Sequence, residues 1–100
     1  MIYFVDVDGT ICTDTKGEYD TAKPFPDKIE KMNKLYDEGH TVIYWKARGM
    51  TRAKGNLHKA YEYCYELTRD QFNDWGVKYH ELRLGKPFYD ILLDDKAKEI

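Results

Sequence analysis

No apolar run in this chain approaches the ~20 residues needed to cross a bilayer, and neither sign of charge dominates. Sixteen Lys and Arg stand against 18 Asp and Glu, a net charge of −2. The overall charge therefore gives no footprint for nucleic acid or a membrane surface, and any charge recognition must be local. Cysteine is scarce: Cys12 and Cys64 have no metal-type spacing, and the N-terminus lacks a basic segment followed by a signal-like apolar stretch. The expectation is a reduced, cytoplasmic protein. No internal repeat, low-complexity tract or linker is present, and 100 residues predict one domain, 1–100, with interior enough for one layered core. Aromatics are plentiful. Nine of the fifteen are tyrosines, which suits packing and rim surfaces and carries no function by itself.

The most informative stretch is Asp6, Val7, Asp8, Gly9 and Thr10, directly behind the apolar run Ile2, Tyr3, Phe4 and Val5. A buried strand would deliver these residues to a sheet edge. Residues two apart in an extended segment point the same way, so both acids can converge on one point, which suits a divalent cation. Mg²⁺ takes oxygen ligands, keeps several waters and is typically held by one or two carboxylates plus substrate phosphate. Gly9 lets the backbone turn sharply, and Thr10 can fix that turn through its hydroxyl. An acidic strand-to-loop exit is the other reading, because Asp and Gly are common turn formers.

Along the chain, residues 2–6 read as a short central strand. Residues 11–25 are polar, contain Lys16 and Gly17 and end at Pro24 and Pro26, a loop or short hairpin flap over the strand end. Pro26 suits the first turn of a helix, in which Ile29, Met32, Leu35 and Tyr36 recur at helical spacing until Gly39. Residues 41–45 are a second buried strand, completing a parallel βαβ unit with a right-handed crossover. Leu57, Ala60, Tyr61 and Cys64 mark a helix face. Thr68, Arg69, Asp70 and Gln71 resemble a capping box opening another helix that ends at Gly76. Residues 77–84 are a weaker third strand, and Ile91, Leu92 and Leu93 a fourth, ending in Asp94 and Asp95. The architecture is a small doubly wound α/β sheet, in which ligands sit at the carboxyl ends of the strands.

That rule puts Asp6, Asp8, Asp94 and Asp95 on one sheet edge. Four acids there repel strongly unless a cation sits among them. Lys46, Arg48, Arg52 and Lys54 follow the second strand, and Lys86 precedes the fourth. A metal with lysine and arginine around a carboxylate is what phosphoryl transfer requires: charge neutralisation on the phosphoryl oxygens and an aspartate able to act as nucleophile.

With these residues in place, the chain resembles the haloacid dehalogenase superfamily of aspartate-nucleophile phosphatases. Its D-x-D-G-T motif is matched by Asp6 to Thr10, its lysine motif by Lys86 and its terminal acid pair by Asp94 and Asp95, in the same order along the whole chain. Ala47, Arg48 and Gly49, then Tyr79, His80, Glu81 and Leu82, and Gly85, Lys86, Pro87, Phe88, Tyr89 and Asp90 further resemble small phosphatases of capsule and surface-sugar biosynthesis. The resemblance implies a three-layer, Rossmann-like parallel sheet, minimal and without a cap domain, and a Mg²⁺-dependent phosphomonoester hydrolase. Asp6 would be the nucleophile and a metal ligand. Asp8 would be the acid and base, with its carbonyl on the metal. Lys86 would hold Asp6 and the phosphoryl group, Asp94 and Asp95 would complete the metal site, and Gly9, Thr10, Lys46, Ala47 and Arg48 would contact phosphate.

One position departs from the family. Its second motif places a Ser or Thr at the end of strand two, where this chain has Lys46; Thr41 is at the wrong end and Thr51 too far along. Lys46 could bind phosphate by charge, or fold onto Asp6 and Asp94 and compete with Mg²⁺. For Arg48 an ordinary surface arginine is an alternative, and for Cys12 a packed small residue. Without a cap the site should be open, which points to a homo-oligomer whose neighbour serves as lid or to a bulky phosphorylated substrate; the expected partner is a phosphorylated small molecule, with a sugar phosphate favoured. A polynucleotide end phosphatase is an alternative that the basic stretch 46–54 favours and the net charge opposes. A silent phosphate-binding or assembly module is another, favoured by Lys46.

Overall fold

In a computed structural model, which describes residues 1–49, 54, 56–87 and 89–100, three parallel strands carry two helices. The order is β1 (Ile2–Val5), a 3-10 turn (Tyr19–Thr21), α1 (Pro26–Asp37), β2 (Thr41–Trp45), α2 (Leu57–Trp75) and β3 (Glu81–Arg83). Thr51, Arg52 and Phe88 lie outside the described residues. The sheet runs β1-β2-β3, with Phe4 level with Ile43 and Tyr44 level with Leu82.

Local chemistry explains the helix limits. Pro26 occupies the first turn of α1, where its missing N–H costs nothing, and Ile29 and Met32 turn into the core. Asn56 caps α2 by accepting from the Lys59 N–H at 3.2 Å, and Gly76 closes it with φ of +70°. The two expected helices between 57 and 76 are therefore one. Thr68 does not cap: its hydroxyl donates to the Cys64 carbonyl at 2.9 Å, within the helix. No Gly or Pro between Leu57 and Trp75 interrupts the run.

Val5, Val42, Tyr44 and Leu82 share one sheet face and pack with Ile29 and Met32 of α1 and Phe72 of α2. Both helices thus cover the same face, as two right-handed crossovers made in the same direction require. The expected three-layer, doubly wound arrangement is instead two layers among the described residues. The opposite face, with Ile2, Phe4 and Trp45, carries no helix of the described residues.

The third strand is shorter than its expected span because the Val77 N–H closes α2 on the Phe72 carbonyl at 3.0 Å. The fourth strand is not formed: Ile91, Leu92 and Leu93 lie off the sheet, Leu93 at 91% exposure. Four residues separate Lys86 from Ile91, whereas a parallel return needs a crossover of a dozen or more. No helix of the described residues is long and apolar enough to cross a membrane.

Candidate active site

The D-x-D-G-T stretch leaves β1 and turns at once. Gly9 has φ of +82°, a conformation that glycine adopts without cost. Its N–H donates to the Cys12 carbonyl at 2.8 Å and the Thr10 N–H to the Val7 carbonyl at 3.1 Å. The N–H groups of Gly9 and Thr10, two residues expected to contact phosphate, are thus engaged within the turn, which sets Asp6 and Asp8 at the carboxyl end of the sheet. On the far side the Lys86 N–H bonds the Lys46 carbonyl at 3.1 Å, tying residue 86 to the end of β2. Gly85 makes this possible: at φ of +95°, a Cβ would sit 2.7 Å from Leu57.

These elements border an open cleft of about 1000 Å³, lined by Asp6, Asp8, Ala47, Arg48, Lys86 and the flap residue Tyr19, among others. Lys86 Nζ lies 3.5 Å from an Asp6 oxygen and faces the rings of Tyr89 and Trp45, at 5.3 and 6.0 Å. The Asp6 side chain is 40% exposed.

Asp8 is held differently. Arg48 Nε donates to both of its oxygens, at 3.1 and 2.9 Å, and Nη2 donates to Oδ1 at 2.8 Å. The guanidinium is itself buried, and Nη1 donates to Thr68 Oγ1 at 3.0 Å and to Gln71 Oε1. Nη2 also reaches Cys12 Sγ at 3.7 Å. All five N–H donors of the fork have acceptors. Burial opposes the charge of Arg48, but the Asp8 hydrogen bonds and charge outweigh it and raise its pKa. Arg48 has no donor left for phosphate, and it is no surface residue. It fixes Asp8.

The flap is tied to the same network. Gln71 Nε2 donates to the Tyr19 carbonyl at 2.6 Å, the Gly49 N–H donates to the Tyr19 hydroxyl at 3.3 Å, and the Tyr19 ring lies 5.0 Å from the guanidinium carbon. Buried Cys12 donates to Asp8 Oδ1 at 3.5 Å; burial first, then the Asp8 charge, pushes its thiol up to about 12. The network escaped the sequence reading. Its signal was Thr68 and Gln71 at helical spacing beside Cys64, polar groups on the face that α2 buries.

Lys46 departs from expectation. It is fully buried, does not border the cleft, and its Nζ has no hydrogen-bond partner and no ion pair among the described residues. It folds onto neither Asp6 nor Asp94, because the end of β2 turns it into the interior beside Arg48. Burial, and then the Arg48 charge, pushes its amine down to about 7.

Asp94 and Asp95 are exposed, the Lys96 N–H bonding Asp94 Oδ1 at 2.9 Å. Among the described residues no three His, Cys, Asp or Glu side chains gather as a metal-binding group. The expected four-acid cluster is not formed among the described residues, because the strand meant to carry its second half is not in the sheet. The Asp6 carboxylate and the Asp8 main-chain carbonyl are hard oxygen donors of the type Mg²⁺ accepts, and one or two carboxylates with substrate phosphate and water suffice in many Mg²⁺ sites.

The chain is similar to the crystal structure of a structural-genomics target from Vibrio cholerae, with 26% identity and a TM-score of 0.91 over 98% of this chain and 82% of that one. The match is long enough to take in the tail after Lys86. No protein-family model matches the chain, and no curated protein matches it.

Proposed function

We propose that this protein is a phosphomonoester hydrolase acting through an aspartyl-phosphate, with a phosphorylated small molecule, favoured as a sugar phosphate, for substrate. The supporting observation is the unequal treatment of two acids in one cleft: Asp6 half-exposed beside Lys86, Asp8 clamped by Arg48. An Asp6 oxygen attacks phosphorus as the ester P–O bond breaks, and the departing oxygen takes the proton with which Asp8 must enter the cycle, leaving Asp8 as the carboxylate that Arg48 stabilises. Water then gives its proton to Asp8 and attacks phosphorus, which releases phosphate and restores Asp6. Lys86 offsets charge at Asp6 and the phosphoryl oxygens. Arg48 is a positioning residue that holds the Asp8 carboxylate toward the cleft. Asp6 and Asp8 would hold Mg²⁺, which when bound supplies charge neutralisation to the phosphoryl group.

Hydrolysis of p-nitrophenyl phosphate with and without Mg²⁺ tests this reading, with Asp6→Asn as control. Mg²⁺-dependent turnover lost in the variant is expected. Turnover equal in both proteins removes Asp6 as nucleophile. A silent phosphate-binding module is the second reading, favoured by the grip of Arg48 on both Asp8 oxygens; phosphate binding without turnover in the same assay would select it.

A further inference from the structure

Two surfaces of this chain lack a partner and match each other. The first is the outer edge of β1, which pairs only with β2 among the described residues; on the face without helices Ile2 is 68% and Phe4 53% exposed. Parallel strands are ordinarily buried on both faces, and an open edge is a template for another strand. The second is the apolar triplet 91–93, with Ile91 76% exposed. It is not a fraying end. Ile100 packs against the main core and its main-chain oxygen accepts from Lys28 Nζ, so the triplet is held out between two anchored points.

The triplet cannot bring its acids to the site of its own subunit. For Asp94 to reach the carboxyl end of the sheet, 91–93 must run parallel to β1 and so start at the opposite end. Residue 86 is fixed at the carboxyl end of β2, and the five Cα steps from 86 to 91 reach at most about 18 Å when fully extended, far short of the dozen or more residues that a parallel crossover takes. That reach must cover the length of the sheet as well as the width of β1. A second copy has no such limit.

We propose that residues 91–93 of one copy add as a parallel fourth strand to the free edge of β1 in a second copy, so that Asp94 and Asp95 of the partner subunit join Asp6 and Asp8. The exchange is reciprocal, as a two-fold dimer requires. Asp94 of the partner subunit level with Asp6 sets Leu92 of the partner subunit level with Phe4, covering the apolar face of β1. The assignment of the joined acids to a metal site rests on the phosphatase reading; the strand exchange does not.

Phe4→Cys combined with Leu92→Cys in one chain tests the exchange without reference to activity, since neighbouring strands lie about 4.8 Å apart, within disulfide range. The parent should sediment as a dimer, the double variant should oxidise to a covalent dimer, and Leu93→Lys should sediment as a monomer with an unchanged far-UV circular dichroism spectrum and an unfolding midpoint that no longer depends on protein concentration. A monomeric parent, an intramolecular disulfide, or a Leu93→Lys protein that stays dimeric overturns the proposal. For the site, Asp6→Asn is mixed with a chain carrying Asp94→Asn and Asp95→Asn, after unfolding and refolding together. Each is inactive alone, and the mixture should recover about a quarter of the parental rate, the statistical share of sites with intact Asp6 and an intact partner tail. No recovery from an active parent overturns the trans site. An inactive parent that still forms the covalent dimer overturns the phosphatase reading and upholds the exchange.

Discussion

Asp6 and Asp8 stand two residues apart in one motif and occupy opposite environments. Around Asp8 the molecule is closed: three N–H contacts from one buried guanidinium, which is itself held by two side chains of α2. Around Asp6 it is open, with one ion pair among the described residues, at 3.5 Å. The contrast teaches how a sheet end can supply both a fixed and a free carboxylate: rigidity comes from the α2 face, freedom from the edge where the sheet stops at β1. Lys46 and Arg48 repeat the contrast within the closed region. Both are buried, but the arginine is saturated with partners and the lysine has none among the described residues.

The largest effect should follow from breaking the closed side. Arg48→Met strands the Asp8 carboxylate together with Thr68 and Gln71 and should cost about 3–5 kcal/mol, the usual result of removing one member of a buried pair. Urea unfolding measures it; a loss under ~1 kcal/mol would mean that the clamp contributes little and the contrast with Asp6 is false.

Lys46→Met should act in the opposite direction, stabilising by on the order of a few kcal/mol, because it removes a buried amine without a partner. The folded pKa of about 7 lies below the unfolded value of ~10.4. Between them the unfolded chain binds more protons, so the parent should gain stability as pH rises from about 7, with the full penalty present below that. The variant should lack this rise. Cys12, its thiol pushed up to about 12, works against stability above pH ~8.5, where the unfolded thiol ionises first. Unfolding midpoints at pH 6 to 8.5 therefore give the comparison, and equal slopes in the two proteins would refute the account of Lys46.

Thr68→Val keeps the shape of the α2 face and removes one acceptor of Arg48, which should cost about 1–3 kcal/mol. Its unfolding midpoint, set beside that of Arg48→Met, shows how much of the clamp passes through α2. Smallest on stability is Asp6→Asn. Its partner Lys86 is a surface-type ion pair, so the change should stay within about 1 kcal/mol while hydrolysis is lost. A larger destabilisation would make Asp6 a structural acid like Asp8.

Much of the layout was legible in local patterns. The apolar runs 2–5 and 41–45, Pro26 ahead of a helical stripe and Gly76 behind another mark strands and helix ends, because period and capping act within a few residues. The turn at Gly9 also follows from residues adjacent in sequence, whereas the tie of Lys86 to the sheet end is made to Lys46, forty residues away. Other features depended on neighbours far along the chain. That Thr68 lies within α2 and bonds Arg48, that Lys46 is turned inward, and that both helices share one face are decided by the direction of the crossovers and by which side chains meet in the core. The triplet 91–93 has the composition of a strand, yet whether it pairs is set by the length of the connection before it. Sequence alone thus determined which residues could form strands, turns and a charged site; tertiary structure decided which charges are neutralised, because burial and partner distance, not residue type, set the energy of a charge.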